Sequence, residues 1–278
     1  MDNKIIELKK IATDIRLGAV EAVFNGQSGH PGGALSSADI LACLYFSEMN
    51  VNPATPDNPD RDRFILSKGH SCPGLYAALA LKGYFDKKEL KSFRHTGALL
   101  QGHPDMKAIK GVDMSAGSLG QGFSAACGMA LSAKISNKDY RVYTLIGDGE
   151  SQEGQIWEAV MFASHYQLDN LCLIIDNNGL QIDGRVSDVM NTMPYESKLE
   201  AFGWNVITVD GHNIEEILSA FAAAKEVKGK PTAIVAKTVK GKGVSFMEDQ
   251  AGWHGKAPNA EQYEIAVCEL NEFKNGLN

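Results

Sequence analysis

The sequence predicts an α/β fold with a mostly parallel central sheet and helices on both faces. Three observations carry this reading. Strand-like apolar runs alternate with helix-periodic segments through the second half of the chain. The run Leu171-Cys172-Leu173-Ile174-Ile175 is apolar without alternation, as a strand covered on both faces should be. Glycine-rich or polar turns follow the strands directly, and ligands bind at those carboxyl ends in open parallel sheets.

The first element is a helix over residues 4–25, where Leu8, Ile11, Ile15, Ala19, Ala22 and Val23 recur on one face. The stretch Ser28-Gly29-His30-Pro31-Gly32-Gly33 breaks it. The next helix is expected to start at Ser36, with Asp39 three residues on as its capping-box partner. Residues 63–66 read as a short strand. Helices follow near 73–82 and 86–94, the second opened by Asp86 with Glu89, and another spans 119–135. Strand 142–146, helix 151–166 and strands 171–175 and 204–209 come next. Asn213 caps a helix to about residue 227, strand 232–237 follows, and a last helix covers 260–273. No linker, repeat or low-complexity stretch interrupts this order, so one domain over 1–278 is expected.

The 278 residues are 44% apolar and 22% charged, values of a globular chain rather than a disordered one. Lys plus Arg is 27 and Asp plus Glu is 34, a formal net charge of −7. Such a balance disfavours non-specific nucleic-acid or anionic-membrane binding, so any phosphate must meet a local site. The longest apolar run, residues 75–81, has seven residues, against ~20 needed to cross a bilayer. Met1-Asp2-Asn3-Lys4 does not open a signal peptide. Cys43, Cys72, Cys127, Cys172 and Cys268 are scattered, odd in number and without a C-x-x-C pair. They read as reduced thiols of a cytoplasmic protein.

Four motifs carry chemistry. Gly147-Asp148-Gly149-Glu150 follows a strand and precedes a helix, so backbone N–H groups can approach a ligand there. Asp176-Asn177-Asn178-Gly179 follows the next strand. Asp148 and Asn178 lie thirty residues apart, one strand–helix–strand unit, which brings them to the same edge of the sheet. One carboxylate, one amide oxygen and a backbone carbonyl form a hard oxygen set, suited to Mg²⁺ or Ca²⁺ completed by phosphates and not to zinc. His30, His70, His103 and His254 all sit in glycine-containing loops, where imidazoles can bind phosphate or sugar hydroxyls and move protons. His95, His165 and His212 read as structural. Gly117-Ser118-Leu119-Gly120-Gln121-Gly122 lacks the dinucleotide spacing, and no G-x-x-x-x-G-K-[ST] occurs. Lys240-Gly241-Lys242-Gly243 is either a solvated turn or a phosphate contact.

Together these residues resemble transketolase, a thiamine-diphosphate enzyme, over almost the whole chain and in its N-terminal, diphosphate-binding domain. Gly147-Asp148-Gly149, then twenty-seven residues, then Asn177-Asn178 is similar to the thiamine-diphosphate fingerprint. Ser28-Gly29-His30-Pro31-Gly32, Asp62 through His70, Gly102-His103-Pro104, Gly117 through Gly122 and Trp253-His254-Gly255 resemble transketolase segments in the family's order. The resemblance implies the thiamine-diphosphate-binding fold. It implies that Asp148, the Asn178 side chain and the Leu180 carbonyl hold the divalent ion. His70, Gly149 and His254 would contact the diphosphate, and Gly117 and Leu119, with Ser118 between them, would lie along the cofactor rings. Glu150, Gln181, Lys240 and Lys68 resemble further cofactor positions. His30 and His103 would face the reacting ketose, assisted by His70 and His254, and Lys256 resembles a residue at the mouth.

A single-chain transketolase is more than twice this length. The domain that holds the aminopyrimidine, its activating glutamate and the phosphate-binding arginines has no counterpart here, and Asn278 falls where the family's first domain ends. The expectation is one subunit of a split cytoplasmic enzyme of the pentose phosphate pathway type, paired with a C-terminal transketolase subunit in a dimer of heterodimers. It would act on sugar phosphates, moving a two-carbon unit from ketose to aldose. Rival readings are an alpha-type subunit of a 2-oxo acid dehydrogenase, a deoxyxylulose-phosphate synthase, a transketolase-like enzyme for another sugar, and a non-catalytic regulatory subunit.

Overall fold

Residues 3–277 are described by a computed structural model of the chain. Met1, Asp2 and Asn278, which bear on the expected start and end of the domain, lie outside the described residues. Helix α1 (Asn3–Gly26) is followed by α2 (Pro31–Ser36), α3 (Ala38–Cys43) and strand β1 (Arg63–Leu66). Then come α4 (Cys72–Lys82), α5 (Gln121–Ile135), β2 (Val142–Gly147), α6 (Gly154–His165) and β3 (Leu171–Asn177). A two-residue hairpin, β4 (Leu180–Gln181) and β5 (Gly184–Arg185), leads to short helices α7 (Val186–Val189) and α8 (Tyr195–Ala201). The chain finishes with β6 (Asn205–Asp210), α9 (Ile214–Glu226), β7 (Thr232–Lys237) and α10 (Ala260–Asn275).

The five long strands form one parallel sheet in the order β1-β2-β3-β7-β6. The apolar β3 run divides between both faces, as its lack of alternation requires. Cys172 and Ile174 join the cluster under α1, α3, α4 and α9, and Leu171, Leu173 and Ile175 join the one under α5, α6 and α8. The strand order reverses between β3 and β7, and a crevice opens at their carboxyl ends, the usual ligand position in such sheets.

Several expected elements are corrected. The helix expected from Ser36 begins at Pro31, whose fixed φ suits a first helical position, and it breaks at Ser37. Ser36 and Asp39 make no capping box. The Ser36 hydroxyl donates to Asp176 at 2.6 Å, and Asp39 pairs with Arg16 and with His212. Residues 86–94 hold a 3-10 turn, Lys87–Ser92, capped by Asp86 accepting from the Lys88 N–H. The helix expected from 151 opens as a 3-10 turn, Gly149–Gln152, before α6. Helix α5 starts at Gln121 because Gly120, at φ 83°, turns the chain into it through the left-handed region. The hairpin and α7–α8 carry no periodic signal, and sequence pattern does not predict them.

No helix among the described residues is long and apolar enough to cross a membrane. Cys43, Cys72, Cys127 and Cys172 are buried and Cys268 is exposed. Burial pushes Cys72, Cys127 and Cys172 up to about 12 and Cys43 higher. A thiol-reactive dye at neutral pH should therefore label Cys268 quickly and the other four only on unfolding. Two fast thiols in the native chain would contradict this packing.

Candidate active site

Asp148, 2% exposed, leaves the end of β2 and turns its carboxylate toward the end of β3. The Asn177 amide donates to Oδ1 at 2.8 Å, the Gly179 N–H to Oδ2 at 2.6 Å, and the Tyr195 hydroxyl to Oδ1 at 2.9 Å. Burial raises its pKa to about 6, helped by the neighbouring Asp176 charge, against the pull of those hydrogen bonds. Asn178 and Leu180 line the same wall of the cavity. The Asn178 amide nitrogen donates to Asp176 at 3.2 Å, and its oxygen accepts the Leu180 N–H at 3.1 Å with one lone pair to spare.

In the same wall lies a polar node centred on the buried Asp176 and Lys68 side chains. Asp176 accepts from the Lys68 ammonium, from Ser36 and from the Thr238 hydroxyl. Lys68 also donates to the Gly33 carbonyl at 3.0 Å. Burial pushes the Asp176 carboxyl up, but Lys68 and the hydrogen bonds outweigh it and hold it below the usual carboxylate range. Lys68, expected near the cofactor, lines the cavity and is paired there with Asp176.

Opposite the carboxylates the cavity is cationic. Lys240 is 3% exposed, and its ammonium donates to His254 Nδ1 at 3.0 Å. Burial, then the Lys68 charge, lowers its pKa to about 8. The rings of His30, His70 and His254 converge with centroids 5.0–5.3 Å apart. Burial and neighbouring positive groups hold His30 at about 4 and His254 at about 3, with His70 well below its usual value. His30 Nδ1 is buried without a hydrogen-bond partner. These neutral donors and a desolvated ammonium crowd one end of a cavity of about 480 Å³. They suit an anion, which would relieve the crowding and satisfy the free nitrogen.

The remaining expected residues are placed as follows. His103, Gly117, Leu119, Gly149 and Gln181 line the cavity. At Gly117 a Cβ would lie 3.4 Å from the His103 ring, and at Gly149 3.1 Å from the Gln181 Cβ, so both glycines keep the floor close to a ligand. Gln181 pairs with Gln152. Glu150 reaches the cavity edge, yet its carboxylate is occupied by Ser67 and by the N–H groups of Gly120 at 2.9 Å and Gly147 at 3.1 Å. It clasps the loop, with three of its acceptor positions used by the protein itself. Ser118 is exposed and does not line the cavity. Lys256 lies over the Trp253 ring at 4.9 Å, beside an outer groove. His212 is structural: Nδ1 meets Asp39 at 2.8 Å, and Nε2 accepts the Val239 N–H at 2.8 Å. Asp176, Ser36, Thr238 and Tyr195 are site residues that sequence reasoning misses. Asp176 alone stands in one of the four motifs, and its place at a strand end is the available signal.

Among the described residues no three His, Cys, Asp or Glu side chains gather as a metal centre. A cation at Asp148 would therefore take one carboxylate, an amide oxygen and a carbonyl, and complete its shell with oxygens of another molecule. That donor set fits a hard divalent ion held together with phosphate.

A crevice at the carboxyl ends of a parallel sheet, with one acidic and one cationic wall, marks an α/β domain of the phosphate-cofactor-binding class. The chain belongs to the transketolase family: residues 7–270 match the family model described as transketolase, thiamine diphosphate binding domain. It is 47% identical over 272 residues to a 6-deoxy-6-sulfo-D-fructose transketolase subunit of a Clostridium strain, covering 98% of this chain and 99% of that protein. An apulose-4-phosphate transketolase subunit of Phocaeicola vulgatus is 42% identical over 272 residues, covering 98% of this chain and 96% of that protein. Human transketolase is 46% identical over 268 residues, 96% of this chain but 42% of its own length. The crystal structure of Campylobacter jejuni transketolase superposes with a TM-score of 0.90 at 35% identity, over 98% of this chain and 43% of that one.

Proposed function

We propose that this chain is the thiamine-diphosphate-binding subunit of a split transketolase, a transferase that completes its site with a second chain. The observation that carries this reading is the pairing of walls across one cavity, Asp148 with Asn178 and Leu180 facing Lys240 with three neutral histidines. Asp148, the Asn178 oxygen and the Leu180 carbonyl would hold Mg²⁺ or Ca²⁺. His70, His254, Gly149 and Lys240 would bind the diphosphate, with Gly117, Leu119 and Gln181 along the rings. When bound, thiamine diphosphate supplies an electron sink for breaking and making a carbon–carbon bond.

This chain's own residues do the rest. His30 and His103, which line the cavity, bond the hydroxyls of the donor sugar. Being neutral, each can accept a proton at a free ring nitrogen and return it as the transferred two-carbon unit meets the aldose. Two relatives named as subunits are covered along nearly their whole length. That coverage supports a partner chain, which we take to be the C-terminal transketolase subunit, and a dimer of heterodimers is the assembly proposed. Their names also favour a second reading of the substrate, in which the donor is a sugar such as 6-deoxy-6-sulfo-D-fructose or apulose 4-phosphate in place of an ordinary ketose phosphate.

The test is reconstitution. This chain, a candidate partner, Mg²⁺ and thiamine diphosphate are mixed with each of those donors and with a ketopentose phosphate, and the new ketose is measured. Turnover in the mixture and in neither chain alone is expected. Turnover by this chain alone would overturn the split reading, and cofactor retention without turnover on any donor would favour a regulatory role.

A further inference from the structure

The loops that carry His30 and His103 come from distant parts of the chain, and they meet at Arg94. This residue sits at φ 62°, in the left-handed region that a long side chain enters under strain. Its N–H donates to the Leu100 carbonyl at 2.8 Å. Nη1 donates to the Ser28 hydroxyl at 2.6 Å, two residues before His30. The guanidinium also lies against Gly102, one residue before His103, where a Cβ would fall 2.7 Å from Nε. Nε is buried without a hydrogen-bond partner, and no carboxylate pairs with Arg94 among the described residues. From its other side the His103 loop is held by Tyr76, whose hydroxyl meets the Gln101 and His103 carbonyls at 2.9 and 2.8 Å.

A guanidinium placed in a strained backbone, without an acidic partner, is poorly explained as surface charge. We propose that Arg94 is a positioning residue, which ties the Ser28–His30 loop to the Gly102–His103 loop and keeps both imidazoles aimed into the cavity. The inference rests on the sugar-facing role proposed above for those histidines. Its electrostatics agree: after burial, the Arg94 charge is the next influence lowering both His30 and His103. His103 and Lys240 also act on His30, whose ring meets those of His70 and His254, while for His103 Arg94 is the one charged neighbour of note.

Three variants separate this role from simple packing of the guanidinium over the Phe93 ring, 5.6 Å from its centroid. Arg94→Ala should lower kcat in the reconstituted mixture by about 10²-fold, the loss typical of a misplaced catalytic group, with a smaller change in KM. Arg94→Lys, which keeps the charge without the fork, should recover part of it. Arg94→Gly should be as inactive as the alanine variant yet melt roughly 2–4 °C above it, because glycine releases the backbone strain. Ring titration by NMR on the full chain should move His30 and His103 upward in Arg94→Ala and leave them in place in Arg94→Lys. Full kcat in the alanine variant, or unchanged titrations, would overturn the proposal. If the wild-type mixture turns over no sugar, the proposed function fails, while titration and melting still decide whether Arg94 holds the loops.

Discussion

Asp148→Asn should abolish the divalent-ion dependence of thiamine diphosphate retention and lower transfer in the reconstituted mixture by more than ~10²-fold. The magnitude follows from position. Loss of a group that merely supports a metal ligand costs about 10–100-fold in affinity or activity, and Asp148 is the one charged member of the proposed oxygen set. The substitution keeps the side chain's shape. It removes the charge and puts an amide where either Asn177 or Gly179 now donates. The fold should survive, because that mismatch costs on the order of 1–3 kcal/mol. Calorimetric titration of cofactor into each form, with and without Mg²⁺, separates the effects. A variant that binds the cofactor with an unchanged response to Mg²⁺ would remove Asp148 from the ion site.

How far the site is legible in sequence depends on the range of its contacts. Asp148 and Asn178 are legible because each follows a strand directly, and strand ends converge in a parallel sheet. The histidines are legible because four of the seven recur in glycine-containing loops, where any one alone would read as structural. Ser36 looks like a helix start in sequence, since its true partner, Asp176, is 140 residues away. Tyr195 lies in a helix of seven residues, too short to show a period, and reaches Asp148 across 47 residues. Glu150 points toward the cofactor in sequence because local pattern cannot reveal that Ser67 and two backbone N–H groups already claim it. Arg94 leaves no trace, as φ is not written in sequence. Sequence thus places the groups that touch a ligand better than those that hold them, because the holding is done by non-local hydrogen bonds.

The same distinction predicts the largest loss of stability. Asp176→Ala should destabilise the full chain by about 3–5 kcal/mol, the range for breaking a buried ion pair on one side. The Lys68 and Asp176 side chains are 2% and 0% exposed. Alanine would leave the Lys68 ammonium with the Gly33 carbonyl, strand the Ser36 and Thr238 hydroxyls, and free the Asn178 amide. At roughly 2–4 °C per kcal/mol for a chain near this size, the melting temperature should fall by about 6–20 °C. Lys68→Met with Asp176→Ala should recover part of that loss, because the uncompensated charge goes with its partner. A fall of less than about 1 kcal/mol in the single variant would mean that water reaches the node and the pair is worth little. The expected outcome gives the pair a use beyond stability. Lys68 follows β1, Asp176 closes β3, Thr238 follows β7 and Ser36 ends α2, so one carboxylate ties together the ends of three strands and a helix at the cavity wall. An apolar core could pack those ends equally well. It could not also accept from the Asn178 amide nitrogen, and that bond fixes which end of the amide is left as the acceptor for the proposed ion.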